Sequence, residues 1–406
     1  MKVFVLGGSG KVGREAVQLL ARSDLVTQIA VAGRNLERAQ DAAGRTGGKG
    51  TAVHSDGGDA GELARQLAGY DLVVNCAHDD TVLTTIRAAI QAGANYCDVN
   101  SVIEDALDLA SEAEAAGITA IVANGIGPGV SNLMGVHGAR QLDEVQQLQR
   151  GMADLLSDDD PEQELAPRQW LEGPDESRAL VHGFRPFMTW MLYLLKENGA
   201  RMMLDHQHGH WVDVDPVRSG VDVPHDGSGP VFSYPFVSFD SFWRGLPTDL
   251  SEVPPMEMWF STLPPRLDAV LREQALHVLE EDVDPETAIS AFFDVVDRDP
   301  HQWLTAPGDV TPVPWMWVRA VGRKDGRPAR YDCWFTPPPK VTGWFITSVA
   351  LSAAALKILR GETKKRGVMT AEKAFDPLSF FEEAAALLPG PPRDGRLVDE
   401  SFHWLE

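Results

Sequence analysis

A chain of 406 residues, 44% of them hydrophobic and 23% charged, has the material for a buried core and the length of two ordinary domains. Its 59 acidic against 36 basic side chains give a formal charge of −23, which argues against a nucleic-acid partner or an anionic membrane surface, because the phosphate-neutralising effect is reversed in sign. Three scattered cysteines, Cys76, Cys97 and Cys333, exclude a disulfide framework and suit a reducing compartment, and early glycines leave no room for a leader's apolar core, so a cytoplasmic protein is expected.

In chain order, strand-like runs occur at VFVL (3–6), TQIAVAG (27–33), TAVH (51–54), DLVVNC (71–76), YCDV (96–99) and TAIVAN (119–124). Helical patterns lie between them. The first places Val12, Ala16, Leu19 and Leu20 on one face, and the segments 82–93 and 103–117 each end on a glycine, a common helix stop. Strands alternating with helices imply a parallel sheet wrapped on both faces, because each parallel crossover needs a connecting helix. The expected fold is therefore α/β, a doubly wound sheet of the Rossmann type.

The first strand runs directly into G-x-G-x-x-G, with Gly8, Gly10 and Gly13. A magnesium-holding P-loop requires Ser or Thr after its Gly-Lys, and here Val12 follows Lys11, which disfavours ATP. A dinucleotide turn instead needs Gly8 for the bend, Gly10 for close approach to a pyrophosphate and Gly13 for helix–strand contact. The segment Ser9, Gly10, Lys11 and Val12 would then aim the free N–H groups of a helix start at the phosphates.

The second strand ends AVAGRN, with Gly33 where NAD-binding chains carry an acid and with Arg34 and Asn35 next. A guanidinium pairs with a 2′-phosphate that an acid would repel, so NADP is favoured. Asp56, after the third strand, is a candidate adenine contact.

DLVVNCA, AAIQAGANYCDVNS and AGITAIVANGIGPGVSNLM resemble the saccharopine dehydrogenase (reductase) family, which includes saccharopine reductase and carboxynorspermidine dehydrogenase. The similarity continues in GHWVDVDP, MEMWFSTLPPRL and LRGETKKRGVMTAEKAFDPLSFFEEAA. The resemblance implies a Rossmann domain at 1–133, a mixed α/β substrate and dimerisation domain at 134–344, and C-terminal helices at 345–406 that pack back on the first domain. It also implies a homodimer and NADPH-linked reduction of an imine formed from an amine and a carbonyl compound, or the reverse. Reduction of an activated C=C or C=O bond, as in enoyl reductase relatives, and a non-catalytic NADP-binding regulator are the alternatives.

In an open α/β sheet the site lies beyond the carboxyl ends of the strands. That places Asn75, Cys76 and Ala77 beside the cofactor, with His78, Asp98, Asn100, Ser101 and the loop 124–132 around the substrate. Saccharopine reductases read G-L-D-P-G in that loop. This chain has Gly127 in place of the aspartate, which leaves His78 and Asp98 as candidate catalytic groups. His78 could give a proton to a nascent amine, and Asp98 could anchor an ammonium or cap backbone N–H groups.

Other signals carry less. LDHQHGHW sets His206, His208 and His210 at alternate positions, but three ligands on one straight strand fit a tetrahedron poorly, and no metal is expected. Late tryptophans, among them Trp303, Trp315, Trp317, Trp334 and Trp344, read as a packed sheet or an interface. WMWVRAVGRKDGRPARYDCWF reads as a hairpin turning at 324–327, and residues 346–360 are again helical. Nothing ranks Arg168, Arg178, Arg185 and Arg201 as carboxylate partners.

Overall fold

A computed structural model describes residues 1–100, 104–154, 185, 188, 192–193, 195–196, 203–207, 210–214, 221–225, 229–235, 256–262, 265–298, 316–336, 338, 341, 343–390 and 396–406. Ser101, the acidic stretch 157–164, Arg168, Arg178, Arg201, His208, Trp303 and Trp315 lie outside the described residues. The described residues form two compact units: 1–137 with 343–397, and those of 138–342 with 398–406.

In the first unit β1 (Lys2–Leu6), β2 (Gln28–Gly33), β3 (Gly50–His54), β4 (Leu72–Asn75), β5 (Asn95–Asp98) and β6 (Thr119–Val122) lie in the order β3-β2-β1-β4-β5-β6, and a seventh strand, Gly367–Thr370, joins beyond β6. Every pairing is parallel. The central strands are buried on both faces, which is why they read as continuous apolar runs. Their crossovers are α1 (Lys11–Arg22), α2 (Leu36–Gly44), α3 (Ala60–Leu67), α4 (Val82–Ala92), α5 (Glu104–Leu107) and α6 (Ala110–Ala115), with α7 (Val130–Ala139) leaving β6. Helix α1 buries Gly13, Ala16, Val17, Leu19 and Leu20, close to its expected face. Gly93 (φ 69°) and Gly117 (φ 74°) follow α4 and α6 in the left-handed conformation. The single helix expected over 103–117 is two short ones.

The second unit is a largely antiparallel sheet. Its strands are β7 (Glu144–Asp154), β8 (Met203–Gln207), β9 (His210–Val214), β10 (Val221–His225), β11 (Gly229–Pro235), β12 (Met256–Thr262), β13 (Met316–Lys324) and β14 (Arg327–Phe335), ordered β10-β11-β12-β7-β13-β14 with β8 and β9 to one side. Helices α8 (Pro265–Glu280) and α9 (Pro285–Arg298) belong to the same unit. The expected hairpin is present: Lys324 opposes Arg327 across Asp325 (φ 51°) and Gly326 (φ 73°), the positive angles of a type I′ turn. Trp317 opposes Trp334 and covers Gly151, where a Cβ would come within 1.9 Å of the indole nitrogen. These two tryptophans therefore serve sheet packing.

Helix α10 (Gly343–Leu359), expected from 346, returns to the first unit, where the Ser348 hydroxyl donates to the Val12 carbonyl at 3.0 Å. Helices α11 (Ala371–Ala374) and α12 (Pro377–Ala386) follow in that unit. The chain does not stay there to its end, as the 345–406 reading expected. Val398–Trp404 pairs antiparallel with β14, so the final strand belongs to the second unit. Val398, Phe402 and Trp404 share one face at two-residue spacing, broken only by Glu400, which suits a strand, not a helix.

Candidate dinucleotide site

The strand order reverses at β1, with β2 on one side and β4 on the other, and Leu6 is in register with both Ala32 and Asn75. Such a switch point opens a crevice at the carboxyl ends of the strands. The glycine turn leaves β1 there. The bend itself falls to Gly7 (φ 73°), not to Gly8 as expected: a Cβ on Gly7 would lie 2.6 Å from the Cys76 carbonyl carbon. Gly8 is packed against Val5 and Val31, and a Cβ on Gly13 would meet the Gly7 oxygen at 2.3 Å. Gly10 differs, since among the described residues a Cβ there would meet only the Gly7 oxygen, at 3.3 Å. Its outer side is open, as a backbone that must approach a ligand requires.

Gly10 is also the N-cap of α1, and no side chain caps it. The helix start at Lys11 and Val12 therefore faces outward with the positive end of its dipole, a seat for an anion. The Lys11 ammonium stands 5.6 Å from the Trp344 ring, at the start of α10. A cradle of backbone with room only at Gly10 fits a dinucleotide pyrophosphate.

At the end of β2, Arg34 is exposed and Asn35 caps α2, its Oδ1 accepting from the Arg38 N–H at 3.0 Å. The Asn35 amide is thus committed to the helix. Arg38, which sequence reasoning missed, donates to the Ser9 carbonyl at 3.3 Å and brings a second guanidinium to the turn. The Ser9 hydroxyl lies 3.5 Å from where a Gly33 Cβ would be. Ser9 and Arg38 so meet beside the end of β2, where Arg34 follows Gly33, and the R-x-x-x-R spacing was the signal that could have shown the second arginine. Asp56 is exposed beyond β3 and folds back on the Gly58 N–H at 2.9 Å.

The end of β4 divides into buried and exposed parts. Asn75 is fully buried; its Oδ1 accepts from the Ala77 N–H at 3.0 Å, and its Nδ2 donates to Thr81 Oγ1 at 3.1 Å and to Tyr96 Oη at 3.3 Å. It shapes the turn from beneath instead of pointing into the crevice. Cys76 and Ala77 are half-buried beside Gly7, and burial with the nearby Asp98 charge pushes the Cys76 thiol up to about 12, so it is no thiolate nucleophile. The His78 side chain is 86% exposed, with Nδ1 3.4 Å from Asp80.

Asp98 sits at the end of β5 with 1% exposure. Its carboxylate accepts from the Tyr96 hydroxyl and from the N–H groups of Ala123 (2.7 Å) and Asn100 (3.3 Å). Of its two expected roles, this is the capping one. Tyr96 and Asp98 share a strand face two residues apart, a pairing readable from YCD but overlooked. Burial pushes Asp98 up from an ordinary 3.8 to about 7, against these hydrogen bonds. A raised carboxylate favours the folded state fully below pH 3.8, and that contribution is lost as pH climbs through about 7. Stability to urea should therefore decline between pH 4 and pH 8, and Asp98→Asn should remove up to about 4 kcal/mol of that decline. A variant with an unchanged pH profile would mean that Asp98 ionises as freely as in the unfolded chain.

The loop after β6 closes on itself. The Gly125 N–H donates to the Pro128 carbonyl at 2.8 Å, and Gly129 (φ 119°) has no room for a Cβ beside the Gly125 oxygen. It then starts α7 through Val130, whose N–H donates to Gly125.

Elsewhere, His206 and His210 occupy two antiparallel strands, β8 and β9, with His206 opposite Trp211, so they are not one face of one strand. Among the described residues no group of three His, Cys, Asp or Glu side chains could hold a metal, and no helix is long and apolar enough to cross a membrane. Arg185 lies 5.1 Å from the Phe293 ring and 3.3 Å from the Ser290 hydroxyl.

Comparison with known proteins agrees with this geometry. Over 99% of its length, and 99% of the other, the chain has the fold of apo saccharopine dehydrogenase (L-Glu forming) from Saccharomyces cerevisiae, at 16% identity and a TM-score of 0.64. It likewise matches, over 100% of its length and 91% of the other, a homospermidine synthase from Legionella pneumophila in complex with NAD, at 11% identity and a TM-score of 0.58. Residues 3–121, which hold the glycine turn, Arg34, Arg38 and the ends of the first five strands, match the family model for the saccharopine dehydrogenase NADP binding domain.

Proposed function

We propose that this protein is an NADPH-dependent oxidoreductase that reduces an imine formed from an amine and a carbonyl compound, or runs the same reaction in reverse. The observation that carries the cofactor half is the glycine cradle at the switch point, open only at Gly10, with two guanidinium groups and no carboxylate at the end of β2. Backbone at Ser9, Gly10, Lys11 and Val12 holds the pyrophosphate. Ser9, Arg34 and Arg38 hold the 2′-phosphate, Asp56 flanks the adenine end, and Cys76 and Ala77 wall the crevice. Bound there, NADPH supplies the hydride.

The imine half rests on the saccharopine dehydrogenase NADP binding domain and on the resemblance of the later segments. With Gly127 in the loop, the chain needs a proton source elsewhere. His78, exposed at the exit of β4, is the group we assign to protonate the product amine. Gly127 also favours one other reading, a protein that binds NADP without turning it over.

NADPH oxidation followed by absorbance separates the readings. An imine reductase consumes NADPH when a panel amine and a panel carbonyl are supplied together and is silent with either alone. Turnover with a carbonyl or an activated alkene alone would replace the imine by those substrates. Binding without turnover across the panel would leave the regulator.

A further inference from the structure

We infer that Asp98 is a positioning residue that latches the 124–129 loop to the strand ends, and that it neither transfers a proton nor anchors a substrate ammonium. Only the kinetic part of its test rests on the function proposed above.

Ala123, the first residue past β6, has φ 54°, a left-handed conformation that disfavours any residue with a Cβ. Something must hold it there. Its N–H donates to Asp98 Oδ1 at 2.7 Å, and the next N–H, of Asn124, donates to the Asp98 carbonyl at 2.9 Å. One residue of β5 thus grips two successive peptides at the start of the loop. The loop is then tied on its far side, where Asn124 Nδ2 donates to the Ala350 carbonyl of α10 at 2.8 Å.

The second Asp98 oxygen leads the other way. It accepts the Tyr96 hydroxyl, Tyr96 Oη accepts from Asn75 Nδ2, and Asn75 Oδ1 accepts the Ala77 N–H. The Cys76–Ala77 peptide is the one against which Gly7 is packed. A single string of hydrogen bonds therefore runs across the ends of β4, β5 and β6, from the glycine turn to the loop. Asn75 and Tyr96 are 0% exposed and Asp98 1%. A carboxylate turned inward onto these donors has the geometry of a clamp.

If Asp98 works by accepting these hydrogen bonds, its charge is dispensable and its acceptor oxygen is not. Asp98→Asn should keep kcat within about threefold of wild type, because the amide oxygen still accepts from Ala123 and the amide NH2 donates to Tyr96 Oη in place of accepting from it. Asp98→Ala should lower kcat about tenfold or more while KM for NADPH changes less, and should speed hydrogen exchange in peptides spanning 120–133 about tenfold. Adding Ala123→Gly should recover most of that loss, because glycine adopts the left-handed angle unaided. A proton donor or ammonium anchor would behave oppositely: Asn would be inactive, and glycine at 123 would rescue nothing.

Either of those two results overturns the latch. Should Asp98→Ala not fold, Ala123→Val in the otherwise native chain loads the same latch, and unchanged exchange in that variant would also overturn it. Hydrogen exchange needs no substrate. A wild type that never turns over NADPH therefore ends the functional proposal while the exchange data still decide the latch.

Discussion

Gly10→Ala should leave the folded protein intact and remove its hold on NADPH. Among the described residues a Cβ at position 10 meets only the Gly7 oxygen at 3.3 Å, a contact that a small backbone shift relieves. The same methyl group projects to the side from which a pyrophosphate must approach the N-terminus of α1. Thermal unfolding should be nearly unchanged, while the dissociation constant for NADPH, read by fluorescence titration, should rise about 100-fold. Gly7→Ala is the contrasting case. There the Cβ would lie 2.6 Å from backbone of Cys76, at φ 73°, so the fold itself suffers, by about 2–4 kcal/mol. If Gly10→Ala unfolds the protein, or binds NADPH as tightly as wild type, the turn is a structural corner and no phosphate seat.

The second large effect concerns the choice between the two nicotinamide carriers. Replacing Arg34 and Arg38 together by Asp should weaken NADPH by at least about 100-fold and NADH less than about threefold. Each guanidinium–phosphate pair contributes about 1.5–3 kcal/mol, and reversal of charge adds repulsion. NADH lacks the phosphate, so it has nothing to lose there. Arg38 carries a risk of its own, since its side chain also donates to the Ser9 carbonyl and helps hold the turn. Arg34→Asp alone, at an exposed position, isolates the phosphate effect. Equal losses for both carriers would remove the case for a 2′-phosphate site.

A buried carboxylate below this site need not be catalytic. Tyr96, Asp98 and Asn75 are the kind of polar network that stays in a core only when its members are satisfied: Tyr96 and Asn75 donate within it, and the Ala77 and Ala123 N–H groups donate to it from the neighbouring turns. Asp98 couples an unfavourable backbone angle at Ala123 to the ends of three strands. A chemically attractive residue at a strand end can thus serve the backbone of a neighbouring loop.

The doubly wound sheet was legible in the amino-acid order because parallel strands buried on both faces are continuous apolar runs, and each must be followed by a helix. The glycine turn, the absence of an acid after β2 and the Asp325-Gly326 hairpin were legible for the same reason: each depends on neighbours within a few residues. Tertiary structure decided the rest. Only the packing of Gly7 on the Cys76 peptide shows which glycine makes the bend, because that contact joins residues far apart in sequence. The Gly367–Thr370 strand was hidden because a four-residue run carries too little periodicity, and its place is set by pairing with β6. Asp98 offered two roles on paper. The Ala123 N–H, across 25 positions of chain, supplies the capping contact, since the partner of a buried charge is fixed by the fold and not by its neighbours in sequence.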